Sequence, residues 1–371
     1  MKTKKLSEIS DIQYGYAFDS HYFTNDNKYP QLVRIRDIKR GFSETYYLGK
    51  YDEDYVVHYG DLLIGMDGNF NISRWKSEDA LLNQRVCKIA AKQDIIDEEY
   101  LQYALSRRLK HIEEKTAFVT VKHLSAKTLS NLKLEVPSQV EQIKIAQIIS
   151  KISKAINTKK DELRKLDELI KARFVEMFGD LKFDTSLSFY VNSLVAGKSL
   201  AGKQESPNKV LNTGAVSYDY FRNDSKNLPI DYVPLEKNQI QTSDLLISRM
   251  NTQELVGAVA YVWKAPKHTY LPDRLWKAKL KDNVNPIFIW QALIYPLSKI
   301  QIRRMATGTS GSMKNISKNN FLAVKIPYAK IQKQNEFANF VQQVDKSKVA
   351  VQKSLEETQT LFDSLMQKYF G

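Results

Sequence analysis

Apolar residues recur along Val136–Gly179 at Ile145, Ile149, Ile152, Ile156, Leu163, Leu166 and Ile170, in steps of four and three that hold one helical stripe. Lys159 and Arg173 interrupt the stripe, and Met177 ends it. Pro137 stands before this stretch and Gly179 after it, with neither residue type between, as helix boundaries require. Roughly 40 residues at 1.5 Å rise predict a rod of about 60 Å, too long for one helix of a small globule. The C-terminus repeats the pattern at Phe337, Val341, Val344, Val351, Leu355, Phe362 and Leu365, continued by Tyr369, with interruptions at Lys348 and Thr358. Gln142 matches Gln334, Ala146 matches Ala338 and Phe178 matches Phe370, all at one separation, so the chain contains an internal repeat. Two unrelated surface helices would not hold one separation over the whole element. Two exposed apolar stripes in one chain most simply bury each other, here as an antiparallel coiled coil.

The segments before each rod repeat as well. Gln31–Ile38 alternates apolar and basic residues and predicts a strand with one wet face. Leu62–Ile64 predicts a buried strand running into a Gly/Asn-rich turn, and Leu81–Ala91 another strand. Asp97–Lys115 has helical spacing, with acid at its start and base near its end. Asp61-Leu62-Leu63-Ile64 recurs as Asp244-Leu245-Leu246-Ile247, and LNQRVCKI as LPDRLWKAKL, pairing Arg85 with Arg274. Asn285–Ile302 stands where Asp97–Ile112 stood. VKHLSAKTLSNLKLEVP returns, with a small gap, as MKNISKNNFLAVKIP. The expected order is a first domain at 1–136, a spacer helix at 137–179, a second domain at 180–326 and a C-terminal spacer helix at 327–371. The fold class is mixed α/β, with two pseudo-symmetric domains separated by the paired helices.

Composition narrows the role. The 371 residues suffice for two domains and the rods, and 43% are hydrophobic, enough for a core in each. The formal net charge of +14 and a pI near 9.4 favour a polyanionic partner, nucleic acid first. A single cysteine, Cys87, excludes an internal disulfide and fits a reducing, cytoplasmic setting. The N-terminal residues carry no apolar run of signal-peptide length, and no stretch reaches the roughly 18 apolar residues of a membrane span.

With the rod openings Pro137/Gln142/Ala146 and Pro327/Gln334/Ala338, the paired DLLI strands, and the VKHLS and MKNIS loops in view, the chain resembles the specificity subunit of Type I restriction-modification systems over essentially its whole length. The second rod opens Lys333-Gln334 where the family pattern has Glu-Gln. The resemblance implies two target recognition domains, each reading one half of a split sequence in double-stranded DNA. It implies spacer helices that set the distance between half-sites and bind two methyltransferase subunits, with restriction-translocase subunits joining the complex. S-adenosylmethionine, ATP and magnesium would then belong to the partners, and this chain would carry no cofactor or metal.

Base reading needs Arg, Asn, Gln or Lys on loop tips, and phosphate contacts need cations and turn amides. In the first domain this selects Arg34, Arg36, Asn69, Asn71 and Arg74, then Lys122 and His123. In the second it selects Tyr218, Tyr220 and Arg222, then Arg249 and Asn251, then Arg303, Arg304, Lys314 and Asn315. Thr307–Asn315 reads as a polar loop ending in a cation. Arg85 and Arg274 sit in apolar surroundings and read as structural ion-pair residues. Aromatics can stack on a flipped or unpaired base, but most of the Tyr and Phe here read as core.

No catalytic constellation stands out. Asn285-Pro286-Ile287-Phe288 lacks the second proline of an adenine-methyltransferase loop, and Ala196-Gly197-Lys198-Ser199 lacks the first glycine of a P-loop. Glu113-Glu114-Lys115 reads as a solvated helix end, and His123 has no second ligand at metal spacing. The expectation is a non-catalytic DNA-specificity subunit. The alternatives are a self-sufficient methyltransferase or nuclease, and a basic coiled-coil scaffold.

Overall fold

The computed structural model describes residues 2–115, 122–310 and 313–371 and is mixed α/β. It divides into two compact units, Met1–Asp161 with Gln352–Gly371, and Glu162–Val351.

In the first unit a four-stranded antiparallel sheet runs in the order Ser10–Tyr14, Val86–Ala91, Leu62–Gly65, Ile72–Arg74. Leu62–Gly65 is central and buried along its whole length, which is why it reads as a continuous apolar run. A second sheet contains a parallel pair, Gln31–Val33 with Ala80–Leu82. Lys2–Lys5 pairs with Lys133–Val136 and brings the chain's start to the foot of the first long helix. The helix Glu98–Lys115 buries Tyr100, Leu101, Leu105 and Leu109 in the core, together with Leu62, Ile64 and Ile89 from the sheet. Each such side chain contributes on the order of 1.5–3 kcal/mol when fully buried.

The second unit repeats this plan within itself. Its antiparallel sheet runs Val191–Ala196, Leu275–Leu280, Leu245–Ser248, Val259–Tyr261. Its parallel pair is Lys209–Leu211 with Thr269–Tyr270, and its closing pair is Thr185–Ser186 with Lys325–Ile326. Even the caps correspond. Ser125 and Ser317 each accept a bond from the amide three residues on, Thr128 and Asn320, at 3.1 Å.

The long helices are Gln139–Phe178 and Ile331–Phe370. In the first unit, Ile145 and Ile149 share a core with Met366 and Phe370. In the second, Ile170, Phe174 and Phe178 share one with Phe337, Val341 and Val344, and the Phe178 and Phe337 rings meet edge-on at 5.5 Å. The middle seam positions Ile152, Leu163, Leu166, Val351, Leu355, Phe362 and Leu365 are half-buried, and Ile156 is buried. Two of the seam's interruptions carry ion pairs between the helices. Arg173 donates to Glu336 at 2.9 Å, and Lys348 to Asp167 at 2.5 Å.

Several local expectations are corrected. Gln31–Ile38 is not one strand: it ends at Val33, and Ile35–Asp37 is a 3-10 turn. The fully buried Asp37 carboxylate draws that turn together by accepting from the Arg34 amide and the Ser43 hydroxyl. Leu81–Ala91 is two strands with a turn at Asn83–Arg85. Asn285–Ile302 falls in two helices, Pro286–Ile294 and Pro296–Met305, because Pro296 cannot continue the first. Thr307–Asn315 is not an open loop but two strands, Thr307–Ser310 and Met313–Asn315, with residues 311–312 outside the described residues. The VKHLS loop likewise starts outside them, at Val121, and is described from Lys122 on.

Candidate nucleic-acid interface

In each unit a glycine ends the first strand of the antiparallel sheet and lets the chain press against another backbone. A Cβ on Gly15 would lie 2.0 Å from the Asn83 carbonyl oxygen, and one on Gly197 would lie 1.7 Å from that of Leu271. Only glycine fits such an approach. Behind these contacts are the turns that carry Arg85 and Arg274.

Three separate chain segments converge on each turn. In the first unit the Met66 amide donates to the Arg85 carbonyl and the Leu124 amide to the Met66 carbonyl. In the second, the Arg249 amide donates to the Arg274 carbonyl and the Ile316 amide to the Arg249 carbonyl. The strand-following loop, the arginine turn and the returning loop are therefore stitched together by the same bonds in both units. This brings together several of the residues selected from sequence. Lys122 and His123 join the 66–71 loop, where Asp67 bridges to His123 and the Gly68 amide donates to the Lys122 carbonyl. Met250–Asn251 pairs with Met313–Asn315, so Asn251 lies opposite Lys314 and Met250 opposite Asn315. Arg303 joins this edge by donating to the Glu254 carbonyl at 3.1 Å, and Arg304 is exposed beside it.

Other selected residues are committed to the protein. Arg34 is held by the Thr45 hydroxyl and by Asp37. Arg74 pairs with Glu98 at 3.2 Å and donates to the Gly60 carbonyl at 3.0 Å. The Arg249 guanidinium is half-buried, 5.9 Å from the Trp276 ring. Arg36 and Asn69 are exposed, and Asn71 and Lys122 line a shallow cleft of about 500 Å³ with Lys39 and Lys110.

Tyr218, Tyr220 and Arg222 form a separate patch. The Arg222 guanidinium lies 5.5 Å from one ring and 5.2 Å from the other. Tyr218 and Asp219 both have φ of +65°, a conformation that costs of order 1–3 kcal/mol per residue. The turn is held by Asp219, whose carboxylate accepts from the Val259 amide at 2.9 Å and from Lys299 at 2.5 Å. Burial pushes the Lys299 pKa down, opposed by Asp219. This patch edges a cavity of about 790 Å³ walled by Phe174, Trp263, Trp290 and Tyr295.

Arg85 and Arg274 were missed as exposed side chains. Arg85 does form an ion pair, with Asp67, yet it does so from a turn, with φ of +67° and 59% of its side chain exposed. Arg274 is exposed and has no ion pair among the described residues. The signal for the turn was available: Asn83-Gln84-Arg85 puts three polar residues in a row inside an apolar stretch. Among the described residues no cluster of three or more His, Cys, Asp or Glu side chains is placed to hold a metal ion, and no helix is long and apolar enough to cross a membrane.

A family model described as a Type I restriction modification DNA specificity domain matches residues 1–168 and 199–358. The specificity subunit of the Type I restriction enzyme EcoBI of Escherichia coli is 39% identical over 166 residues. That of MjaVIII from Methanocaldococcus jannaschii is 24% identical over 127 residues. These matches take in 45% and 34% of this chain and 35% and 30% of the relatives, so the chain spans about a third of their length. Among solved structures, a Type I restriction-modification S subunit from M. genitalium aligns with a TM-score of 0.62 at 15% identity, covering 100% of this chain and 96% of that one. A structure from a study of complex assembly and conformational transition of the Type I system aligns with a TM-score of 0.53 at 15% identity, covering 100% of this chain and 97% of that one. At that identity the two structures speak for the fold.

Proposed function

The chain belongs to the Type I restriction modification DNA specificity family, and from that premise we propose that it is the non-catalytic DNA-reading subunit of such a complex. Residues 1–136 and 180–326 act as target recognition domains, each taking one half of a split, asymmetric site in double-stranded DNA. The long helices form an antiparallel coiled coil that fixes the distance between half-sites and seats two methyltransferase subunits. Its support is that residues early in one helix pack with residues late in the other, in both units. Restriction-translocase subunits join the same assembly in the cytoplasm. S-adenosylmethionine, ATP and magnesium serve the partners' chemistry, while this chain binds and orients the duplex.

One observation carries the reading: two loops and an arginine turn are stitched by the same backbone bonds in each unit, at positions where the side chains differ. A constant frame with variable side chains is what two readers of unlike sequences require. Lys122, Lys314, Arg303, Arg304 and Arg36 supply the sequence-independent phosphate attraction; His123, Asn69, Asn71, Asn251 and Asn315 face base edges. Arg34, Arg74 and Arg249 stiffen the reading surfaces, and Tyr218, Tyr220 and Arg222 form an aromatic-cationic flank.

The test is selection from a random duplex library by the full chain co-expressed with methyltransferase partners. The expected product is one bipartite sequence with a fixed gap, bound with an affinity that falls steeply as salt rises. Enrichment of no sequence, or of one uninterrupted sequence, contradicts the proposal.

A further inference from the structure

We propose that Arg85 and Arg274 are the corresponding base-reading arginines of the two domains, and that Asp67 positions Arg85; this rests on the DNA-reading function above. Read along the chain, each arginine follows a polar residue, Gln84 or Asp273, and directly precedes an apolar strand, which suggests a structural ion pair. Geometry places them otherwise. Each precedes a central strand, Val86–Ala91 or Leu275–Leu280, and each offers its carbonyl to the loop that follows the buried DLLI strand. Each turn is braced from behind by the close-packed Gly15 or Gly197. The backbone is thus fixed while the side chain stays exposed, the arrangement a reader of base edges needs.

The Arg85 turn carries more than one mark of a built site. Its left-handed φ of +67° is uncommon for a long side chain and persists only where the surroundings hold it. Asp67, with only 12% of its side chain exposed, accepts from Arg85 through one carboxylate oxygen and lies 2.5 Å from His123 Nδ1 through the other. Burial opposes its charge, and the bonds from His123 and Arg85 more than offset this, holding its pKa below the ordinary carboxylate range. One guanidinium nitrogen is tied to Asp67, and among the described residues no second ion pair takes the remaining N–H donors of the fork. The neighbours suit base recognition: Arg85 shares a cleft of about 340 Å³ with Arg36 and Gln84. Asp67 offsets the positive charge of Arg85, so a pure phosphate clamp is a poor description of this group.

Arg274 occupies the same frame without a carboxylate partner among the described residues. Where the first unit has Asp67, the second has Met250, one residue after Arg249, and Asn251. A tethered fork selects more sharply than an untethered one, because less side-chain freedom is lost on binding. Arg85 therefore discriminates more strongly at its base pair than Arg274 does at its own.

The experiment is the same library selection with the full complex, using R85K, R274K and D67N. Lysine keeps the charge and loses the planar fork. R85K is expected to lower discrimination at one base pair of the first half-site by about ten-fold or more, leaving the second half-site and the salt dependence unchanged. R274K is expected to do the converse, more weakly. D67N is expected to weaken discrimination at the Arg85 position only, by less than R85K does; a merely structural Asp67 would instead lower binding to every sequence alike. Wild-type selection of a bipartite site that R85K and R274K both preserve would overturn this inference and leave the DNA-reading function standing. A wild-type complex that selects no sequence would overturn the function and the inference together.

Discussion

Gln142 and Gln334 show what a single side chain does in this fold. Both are buried, and each accepts a bond from the backbone amide at the start of its unit's helix, Asp97 at 2.7 Å and Asn285 at 2.9 Å. Each also donates to a backbone carbonyl five residues earlier, Pro137 at 3.0 Å and Ala329 at 2.7 Å. Replacing Gln142 with Ala leaves a buried amide and carbonyl unpaired, at a cost of about 1–3 kcal/mol. Urea unfolding should show that loss, and hydrogen exchange should place it at Asp97–Leu101, not in the second unit. The glutamines were legible as matched landmarks of the repeat. Their task was not, since it depends on a chain segment some 45 residues away. Asp345 gives a prediction with the opposite sign. Burial raises its carboxyl pKa, with Lys348 opposing, and no hydrogen bond partners it among the described residues. A raised carboxyl binds its proton more tightly folded than unfolded, so stability falls as pH rises from the ordinary 3.8 through the folded value. Asp345→Asn is expected to stabilise the protein at neutral pH, with the gain vanishing in acid; denaturation midpoints at both pH values test this.

At the scale of elements, length decided what could be read. The long helices were legible because a seam sampled over ten turns cannot be mistaken for alternation. Glu98–Lys115 and the buried DLLI strands were legible for the same reason of pattern. The ends of strands were not, because a turn such as Asn83–Arg85 resembles one outward-facing stretch of a longer strand. The 3-10 turn at Ile35–Asp37 depends on the Asp37 carboxylate, a tertiary feature that alternation cannot report. Where helix meets domain, packing is aromatic: Phe178 sits 5.0 Å from Phe288 and 5.5 Å from Phe337. Phe178→Ala should cost about 3–5 kcal/mol, because the rings of Phe174, Phe288 and Phe337 line the resulting void. The exposed Arg173–Glu336 pair is worth far less, about 0–1 kcal/mol. Thermal unfolding of Phe178→Ala and Glu336→Ala is expected to rank them in that order.

For the whole molecule, the central feature is duplication with divergence. The repeat was legible from a few matched residues and one constant separation. The equivalence of the two reading frames became visible only through their backbone bonds, since Met66 and Arg249 share a position and no chemistry. The same divergence explains why candidate readers were harder to find than the domains that carry them. A side chain at the right position counts for little if, like Arg74, its donors are turned onto Glu98 and Gly60. Separate readers on one frame should also be separable by exchange. The most direct measurement is to replace residues 180–326 with the equivalent segment of a relative and map the adenines methylated by the full complex. One half-site is expected to change to the donor's sequence while the other is unchanged and the gap is kept. A change in both half-sites, or in neither, would contradict the separability of the readers.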